Sequence, residues 1–81
     1  MEAIESTVKQ FLLDEFLPGA NPAELSESTP LISGGVLDSL ATLKLVAFLE
    51  EQFGIEIQAH EASVDHLNTL AQIGALVRSK R

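Results

Sequence analysis

The sequence has no cysteine and few basic residues, and both absences exclude classes of function. Without cysteine the chain has no disulfides, no thiolate metal ligands and no cysteine nucleophile. Five lysines and arginines stand against twelve acidic residues, which gives a formal net charge of −7. Three of those five bases lie in the last four residues, so the body before Arg78 is more acidic still. Such a body repels nucleic acid and anionic membranes, and it favours partners with basic patches.

Long apolar runs are also missing. The acidic N-terminus, with Glu2 and Glu5, predicts no signal peptide, and no segment is long enough to span a membrane. A cysteine-free composition is typical of a reducing compartment, so we expect a cytoplasmic protein without membrane insertion. The 81 residues are 46% hydrophobic, which is too apolar for a disordered chain and predicts one domain, expected to be a monomer.

Apolar residues recur with helical periodicity along most of the chain. The predicted fold is all-α, a small four-helix bundle with a long first loop over residues 18–37 and a short third helix. The predicted helices span residues 2–17, 38–53, 61–66 and 69–79. Between the second and third helices, Ile55 and Ile57 are predicted to place an extended link against the core.

Residues that cap or interrupt the backbone mark the predicted helix ends. Pro18, followed by a glycine, should end the first helix. Asp38 is a good N-cap for the second helix, and Gly54 is a good residue to end it. Thr69 and Gln72 have the spacing of a capping box at the start of the last helix.

The second helix carries two apolar faces. The face predicted to point inward consists of Leu45, Val46, Leu49 and Phe53. The second face consists of Leu40, Leu43 and Ala47. This second face either packs under the first loop or serves as an exposed docking patch for a partner. Four apolar residues are predicted to fix the first loop to the core: Leu25, Leu31, Ile32 and Leu37.

The segment Gly-Val-Leu-Asp-Ser-Leu at residues 35–40 is the strongest candidate site in the sequence. It places the Ser39 hydroxyl in the first turn of the second helix, after a glycine-bearing loop. The free backbone N–H groups and the dipole of a helix N-terminus favour an anion there, such as a phosphate esterified to Ser39. Asp and Ser are also common at helix starts, so the tripeptide alone has a purely structural explanation.

The context of this tripeptide resembles the acyl carrier protein family, which includes peptidyl and aminoacyl carriers. The tripeptide opens the second helix of an acidic, cysteine-free chain, and the likeness is strongest from Gly35 to Ile57. The resemblance implies a single acyl-carrier-type domain over the whole chain. In that domain Ser39, flanked by Asp38 and Leu40, would carry covalent 4′-phosphopantetheine. A phosphopantetheinyl transferase would attach this group from coenzyme A with magnesium, and its thiol would hold cargo as a thioester.

The resemblance also implies partner enzymes that load and later process an acyl or aminoacyl chain, and a carrier that is not itself catalytic. The docking surface that it implies is formed by Leu40, Leu43, Lys44, Ala47, Glu50 and Glu51. Lys44 departs from the family, which often has an acidic residue five positions after the serine. This departure, with Gly-Val-Leu before Asp38, is more similar to freestanding carriers of specialised lipid, polyketide or aminoacyl pathways than to carriers of housekeeping fatty acid biosynthesis.

Two other functions are open from the residues alone. One is an acidic protein-interaction domain of the same fold without a prosthetic group. The other is a small hydrolase with Ser39 as nucleophile, but Asp38 is too close in sequence to orient a base on Ser39. His60 and His66 are six residues apart and not at the helical spacing of a zinc pair, so we expect no metal site. The basic residues at 78–81 are expected to suit the C-terminal end of the last helix dipole.

Overall fold

The computed structural model of the protein describes residues 3–17, 19, 23 and 25–80. These residues form four α-helices and a 3-10 helix, and no strand occurs among them. The helices are α1 (Ala3–Glu15), α2 (Ser39–Phe53), the 3-10 helix (Ala59–Glu61), α3 (Val64–Leu67) and α4 (Leu70–Lys80). The predicted all-α bundle with a short third helix is confirmed. The predicted helix start at Glu2 and the stop at Pro18 lie outside the described residues.

Helix α1 ends at Glu15, two residues earlier than predicted. The N–H groups of Phe16 and Leu17 both donate to the Leu12 carbonyl, at 2.9 and 3.1 Å, so the backbone leaves the regular helical pattern there. The inward face of the helix consists of the buried residues Ile4, Val8, Leu12 and Leu13. The Phe11 ring stacks on that of Phe48 in α2, with centroids 4.0 Å apart.

Helix α2 ends at Phe53 as predicted and begins at Ser39, one residue later than predicted. Asp38 is the N-cap, because its Oδ1 accepts the N–H of Ala41 at 2.8 Å. Gly54 adopts a left-handed conformation with φ 66°, which glycine reaches without a Cβ clash. The Gly54 N–H donates to the Glu50 carbonyl at 3.0 Å and so closes the last turn.

The core face of α2 is centred on Leu45. Leu45 and Leu49 are fully buried, and Ala41, one turn earlier, is buried with them. Val46 and Phe53, also predicted to face inward, are half-buried at the edge of the core. The predicted face is therefore correct at its centre and extends further towards the N-terminus than the sequence indicated.

The first loop is an ordered connector over its described part. Its apolar residues lie in or against the core as predicted, with Leu25, Leu31 and Leu37 buried and Ile32 half-buried. The Glu27 carbonyl accepts the N–H of Ala71 at 3.2 Å. The loop thus satisfies one of the backbone donors that the first turn of α4 leaves free.

The region between α2 and α4 differs from the prediction in its helix boundaries. A short third helix is present as predicted, but its predicted bounds, residues 61–66, are wrong, because the chain forms two shorter pieces there. A 3-10 helix ends at Glu61, whose carboxylate accepts the N–H of Gln58 at 2.9 Å in a capping box. Helix α3 begins only at Val64. The link before these helices is extended as predicted, with Ile57 buried.

Helix α4 begins at Leu70, one residue later than predicted, because Thr69 is its cap. The Thr69 Oγ1 accepts the N–H of Gln72 at 3.1 Å. The second half of the predicted capping box is wrong: the Gln72 Oε1 accepts the N–H of Asn68, not that of Thr69, at 2.9 Å. The predicted core face is confirmed, since Leu70, Ile73 and Val77 are all fully buried.

Ion pairs of Arg78 and Lys80 join α4 to other parts of the bundle. Arg78 Nη2 lies 2.7 Å from Glu5 Oε1, and the Glu5 side chain is only 5% exposed. Lys80 Nζ lies 2.8 Å from Glu61 Oε1. Burial raises the pKa of Glu5, but the hydrogen bond and charge of Arg78 outweigh that effect and hold the pKa below its ordinary value. The basic end of α4 therefore has specific partners in addition to the helix dipole.

Candidate functional site

Ser39 is exposed at the first residue of α2. Asp38, the residue before Ser39, fixes the backbone by accepting hydrogen bonds from residues that follow Ser39. The carboxylate of Asp38 accepts the N–H of Ala41, and its carbonyl accepts both the N–H and the hydroxyl of Thr42, at 2.9 and 2.8 Å. Ser39 therefore presents its hydroxyl from a well-capped helix start, where the positive end of the helix dipole lies.

The loop before Ser39 closes on itself. The N–H of Leu37 donates to the Leu31 carbonyl at 2.8 Å, and the N–H of Gly35 donates to the Ile32 carbonyl at 3.2 Å. Gly35 has φ 83°, a conformation that side chains with a Cβ rarely adopt. A Cβ at Gly34 would collide with the Pro30 carbonyl. The glycine pair thus permits the tight turn that leads into Ser39.

A groove of about 560 Å³ runs from Ser39 towards α3. Its walls come from the loop, the start of α2 and the segment that leads into α3, and they include Ile32, Thr42, Leu43, Ser63 and Val64. The large hydrophobic residues that are exposed in the described chain are Leu40, Leu43 and Val64, at 72%, 62% and 45%. Leu43 and Val64 line this groove, and Leu40 directly follows Ser39, which lines it as well. The sequence did not single out Val64 because the helix that it begins is too short to show periodicity.

Three further α2 residues predicted to dock partners, Lys44, Ala47 and Glu51, lie next to one another on the helix surface. Ala47 and Glu51 are exposed with Leu40 and Leu43. At about 100° per residue, Lys44 is turned about 140° from Ser39 around the helix. With Ala47 and Glu51 it lines a second groove, of about 340 Å³, whose other walls come from Phe11, Glu15 and Phe48. Lys44, Ala47 and Glu51 therefore border one groove against α1, and none of them lines the groove beside Ser39.

Glu50 has a structural partner. It is half-buried, and its Oε2 accepts the N–H of Ile57 at 2.9 Å. Glu51, the next residue, is exposed. The two glutamates, equivalent in the sequence, therefore differ in the structure: one fixes the link after α2, and the other faces solvent.

Neither histidine lines the groove beside Ser39. His66 lines a separate hollow with Glu61, Asp65 and Gln72. Across residues 3–17 and 25–80, no three histidine, aspartate or glutamate side chains come together as a metal site. Within the same residues, no helix has the length and apolar character needed to cross a bilayer.

Comparison with known proteins places the chain among carriers. Residues 17–77 match the family described as "Phosphopantetheine attachment site". An acyl carrier protein from Wolinella succinogenes is 33% identical over 76 residues, which cover 94% of this chain and 91% of the relative. An acyl carrier protein from Chlamydia muridarum is 28% identical over 79 residues, which cover 98% of this chain and 97% of the relative.

A similar fold occurs in a solved structure described as "Crystal structure of FAD-dependent dehydrogenase". The TM-score is 0.77 at 34% identity, and the match covers 86% of this chain and 97% of that one. The helical arrangement of the bundle is therefore shared with a protein known from crystallography.

The residues around Ser39 fit a phosphopantetheine arm. An exposed hydroxyl at a helix N-terminus suits a phosphodiester, because the helix dipole favours a negative charge there. The adjoining groove offers hydroxyl groups of Thr42 and Ser63 beside apolar walls, as a chain with both amide and methylene groups requires. From this fit and from the matched sequence, the chain belongs to the phosphopantetheine attachment site family, whose acyl carrier members bear covalent 4′-phosphopantetheine.

Proposed function

We propose that this chain is a non-catalytic carrier in which Ser39 bears the 4′-phosphopantetheine arm and presents acyl or aminoacyl cargo to partner enzymes. One observation carries the proposal: Ser39 is exposed at the capped start of α2 and opens onto a groove bordered by exposed hydrophobic residues. The terminal thiol of the arm supplies the thioester that holds the cargo, and the chain has no thiol of its own.

Attachment needs a partner, since Asp38 is committed as a cap and no histidine lines the groove. In the proposed reaction, the Ser39 Oγ attacks the phosphorus of coenzyme A that bears pantetheine. A phosphodiester bond forms, the hydroxyl proton passes to a base of the transferase, and adenosine 3′,5′-bisphosphate leaves. The chain itself contributes an accessible nucleophile held at a fixed position.

The docking surface in this proposal is the exposed ridge of α2. Leu40, Leu43 and Ala47 form its apolar centre, and Glu51 gives it a negative charge about 18 Å along the axis from Ser39. An apolar centre with a charged rim is the usual anatomy of a protein interface. Lys44 adds a positive charge beside Ala47 and Glu51, in the groove against α1, where a specialised loading enzyme with an acidic side chain would meet it.

Intact-mass spectrometry tests the attachment site. The protein is incubated with coenzyme A, magnesium and a broad-specificity phosphopantetheinyl transferase, and a gain of one phosphopantetheine is expected. Ser39→Ala should abolish the gain, whereas Ser63→Ala, a second serine on the same groove, should leave it intact. Both variants should keep the helical circular dichroism spectrum, because neither side chain is in the core.

The same experiment separates the alternative functions. A wild-type chain that keeps its original mass under these conditions would favour the interaction domain without a prosthetic group. Hydrolysis of a model ester by the unmodified chain, lost in Ser39→Ala, would favour the hydrolase. Modification that survives in Ser39→Ala would move the attachment site to another residue.

A flavin-dependent dehydrogenase is a partner class that this proposal includes. In the solved structure described as an FAD-dependent dehydrogenase, the matched chain is covered over 97% of its length by 86% of these 81 residues. That matched chain therefore has about the length of a carrier domain. Surface plasmon resonance with the dehydrogenase from that crystal structure tests the partner. Binding of the phosphopantetheinylated protein that is weakened by Leu43→Ala would support it, and absence of binding would remove this partner while leaving the carrier role intact.

A further inference from the structure

We propose that Asn68 is a positioning residue for Ser39: it holds the loop that leads into the attachment site in the conformation that the transferase recognises. The inference rests on the proposed function of Ser39. Asn68 lies far from Ser39 in the sequence, at the junction of α3 and α4, and nothing in its local sequence pattern marks it.

Asn68 forms hydrogen bonds with three consecutive residues of the loop, Leu31, Ile32 and Ser33, and we call this set of hydrogen bonds the clamp. Its side-chain Oδ1 accepts the backbone N–H groups of Ile32 and Ser33, both at 2.9 Å. Its main-chain carbonyl accepts the N–H of Leu31 at 2.6 Å. The Nδ2 donates to the Ser33 hydroxyl at 3.2 Å. Two backbone donors converge on one amide oxygen, which fixes the orientation of the carboxamide.

Asn68 is itself held in place. Its N–H donates to the Gln72 Oε1 at 2.9 Å, and the residues on either side of the junction, Leu67 and Leu70, are fully buried. The clamp therefore belongs to the rigid part of the bundle, where α3 packs on α4. A loop bound at this point takes its position from the core.

The clamped residues are the ones that shape the site. Leu31 closes the turn by accepting the N–H of Leu37, which directly precedes Asp38 and Ser39. Ile32 is part of the wall of the groove beside Ser39. Residues 25–38 of the loop have no helix or strand pairing of their own, so their conformation depends on these hydrogen bonds and on the buried leucines.

Loss of the clamp should therefore weaken binding of this carrier to the transferase more than it slows the transfer step. Without Asn68 the transferase must order residues 31–33 as it binds, and this ordering cost appears in the KM for the carrier. The Ser39 hydroxyl keeps its place at the start of α2, since the Asp38 cap makes no contact with Asn68. The kcat for phosphopantetheine transfer should then change little.

Three variants test this on the full chain. Asn68→Ala removes the carboxamide. Asn68→Asp keeps an acceptor for the two backbone N–H groups and loses only the Nδ2 donor. Thr69→Ala is the matched control, because it removes the α4 cap from the neighbouring residue without touching the loop. Each variant is assayed for transfer to Ser39 with a broad-specificity transferase and coenzyme A, at a temperature where circular dichroism shows it folded.

Asn68→Ala is expected to raise the KM for the carrier about tenfold with kcat nearly constant, which corresponds to the loss of two ordinary hydrogen bonds. Asn68→Asp should restore most of the KM, and Thr69→Ala should remain within about twofold of wild type. Hydrogen exchange should show the Ile32 and Ser33 amides losing protection in Asn68→Ala alone.

The proposal is overturned if Asn68→Ala keeps the wild-type KM while those two amides exchange freely. It is also overturned if Thr69→Ala raises the KM as much as Asn68→Ala, because the effect would then follow stability alone. Retained protection of Ile32 and Ser33 in Asn68→Ala would show that Asn68 is not the clamp. Failure of the wild-type chain to accept the group at Ser39 would instead refute the proposed function, and the exchange data would still report on the clamp.

Discussion

The Glu50 carboxylate accepts the backbone N–H of Ile57 at 2.9 Å, across the left-handed turn that ends α2. Ile57 is buried, so this hydrogen bond satisfies a backbone donor close to the core and fixes the extended link after the helix. Glu51, one residue later, is exposed. The acidic pair at the end of α2 therefore divides into one structural glutamate and one that faces solvent.

Methionine substitutions should separate these two roles. Glu50→Met keeps the side-chain length but removes the acceptor, so the free energy of unfolding should fall by about 1–3 kcal/mol. Glu51→Met should change it by less than about 0.5 kcal/mol. Urea denaturation measures both. The reverse ranking would mean that Glu51 is the structural residue.

The same two glutamates should differ in how strongly their charges attract a partner enzyme. Glu51→Met should lower the kcat/KM of the transferase at low ionic strength, and the effect should fade at high salt, where exposed charges are screened. Glu50→Met should show a weaker salt dependence, because its carboxylate is already bound to Ile57. Equal salt dependence in both variants would place partner binding outside this end of α2.

Leu43 and Lys44 should differ in their effect on modification. Leu43 is exposed beside the Ser39 groove, so Leu43→Ala should lower the transferase kcat/KM about fivefold or more, independently of salt. Lys44 lines the groove against α1 together with Glu51, so Lys44→Glu should not lower transfer to Ser39, and any change that it causes should fade at high salt. A larger effect from Lys44→Glu would show that the transferase binds across the α1 side.

Acid should destabilise the bundle through Glu5. Its folded-state pKa is lowered, because the bond and charge of Arg78 outweigh burial. Its contribution to stability is therefore complete above the ordinary glutamate pKa of about 4.3 and is lost as the pH falls through the lower folded value. Urea midpoints of wild type and Glu5→Gln should differ most near neutral pH and converge in acid, whereas Glu51→Gln should track wild type throughout.

Gly74 allows α1 and α4 to approach each other. A Cβ at this position would lie 2.6 Å from Glu5 Cδ and 3.0 Å from Arg78 Nη1. Gly74→Ala should therefore destabilise the protein by about 1–3 kcal/mol, although alanine favours helices by about 1 kcal/mol. As a control, Ala75→Gly on the exposed face of α4 measures only the difference in helix propensity between alanine and glycine. Combining Gly74→Ala with Glu5→Ala should recover part of the loss, and additive effects would argue against the close contact.

Alanine substitutions on different faces of α2 should reduce the free energy of unfolding by amounts that follow the burial of each side chain. Leu49 is fully buried, so Leu49→Ala should cost about 2–5 kcal/mol. Phe53 is half-buried and should cost less, while Leu40→Ala should cost about 0.5 kcal/mol or less because Leu40 is 72% exposed. Chemical denaturation measures all three. A cost for Leu40→Ala close to that for Leu49→Ala would place the core on the other face.

Features encoded by neighbouring residues could be predicted from the sequence. The Asp38 cap, the Gly54 turn and the buried face around Leu45 follow from spacing and local backbone preference. Ser39 could be singled out for the same reason, because its setting at a helix start is local. The extent of the third helix could not, since four residues of helix carry too little periodicity.

Contacts between distant residues could not be predicted in this way. Glu5 pairs with Arg78 across 73 positions, and Asn68 binds Ser33 across 35. Both rely on side chains that reach another element, and the sequence near each residue is the same whether or not the partner is present. The burial of Glu5, which a surface position in α1 would not suggest, follows entirely from that distant partner.

The Glu5–Arg78 pair also brings the first turn of α1 beside the last turn of α4. The start of the first helix and the end of the last helix therefore lie side by side. Dyes attached to exposed positions in the first turn of α1 and the last turn of α4 would lie close together in the folded protein and move apart on unfolding. This pair of helix ends is therefore suited to a two-dye proximity sensor of folding.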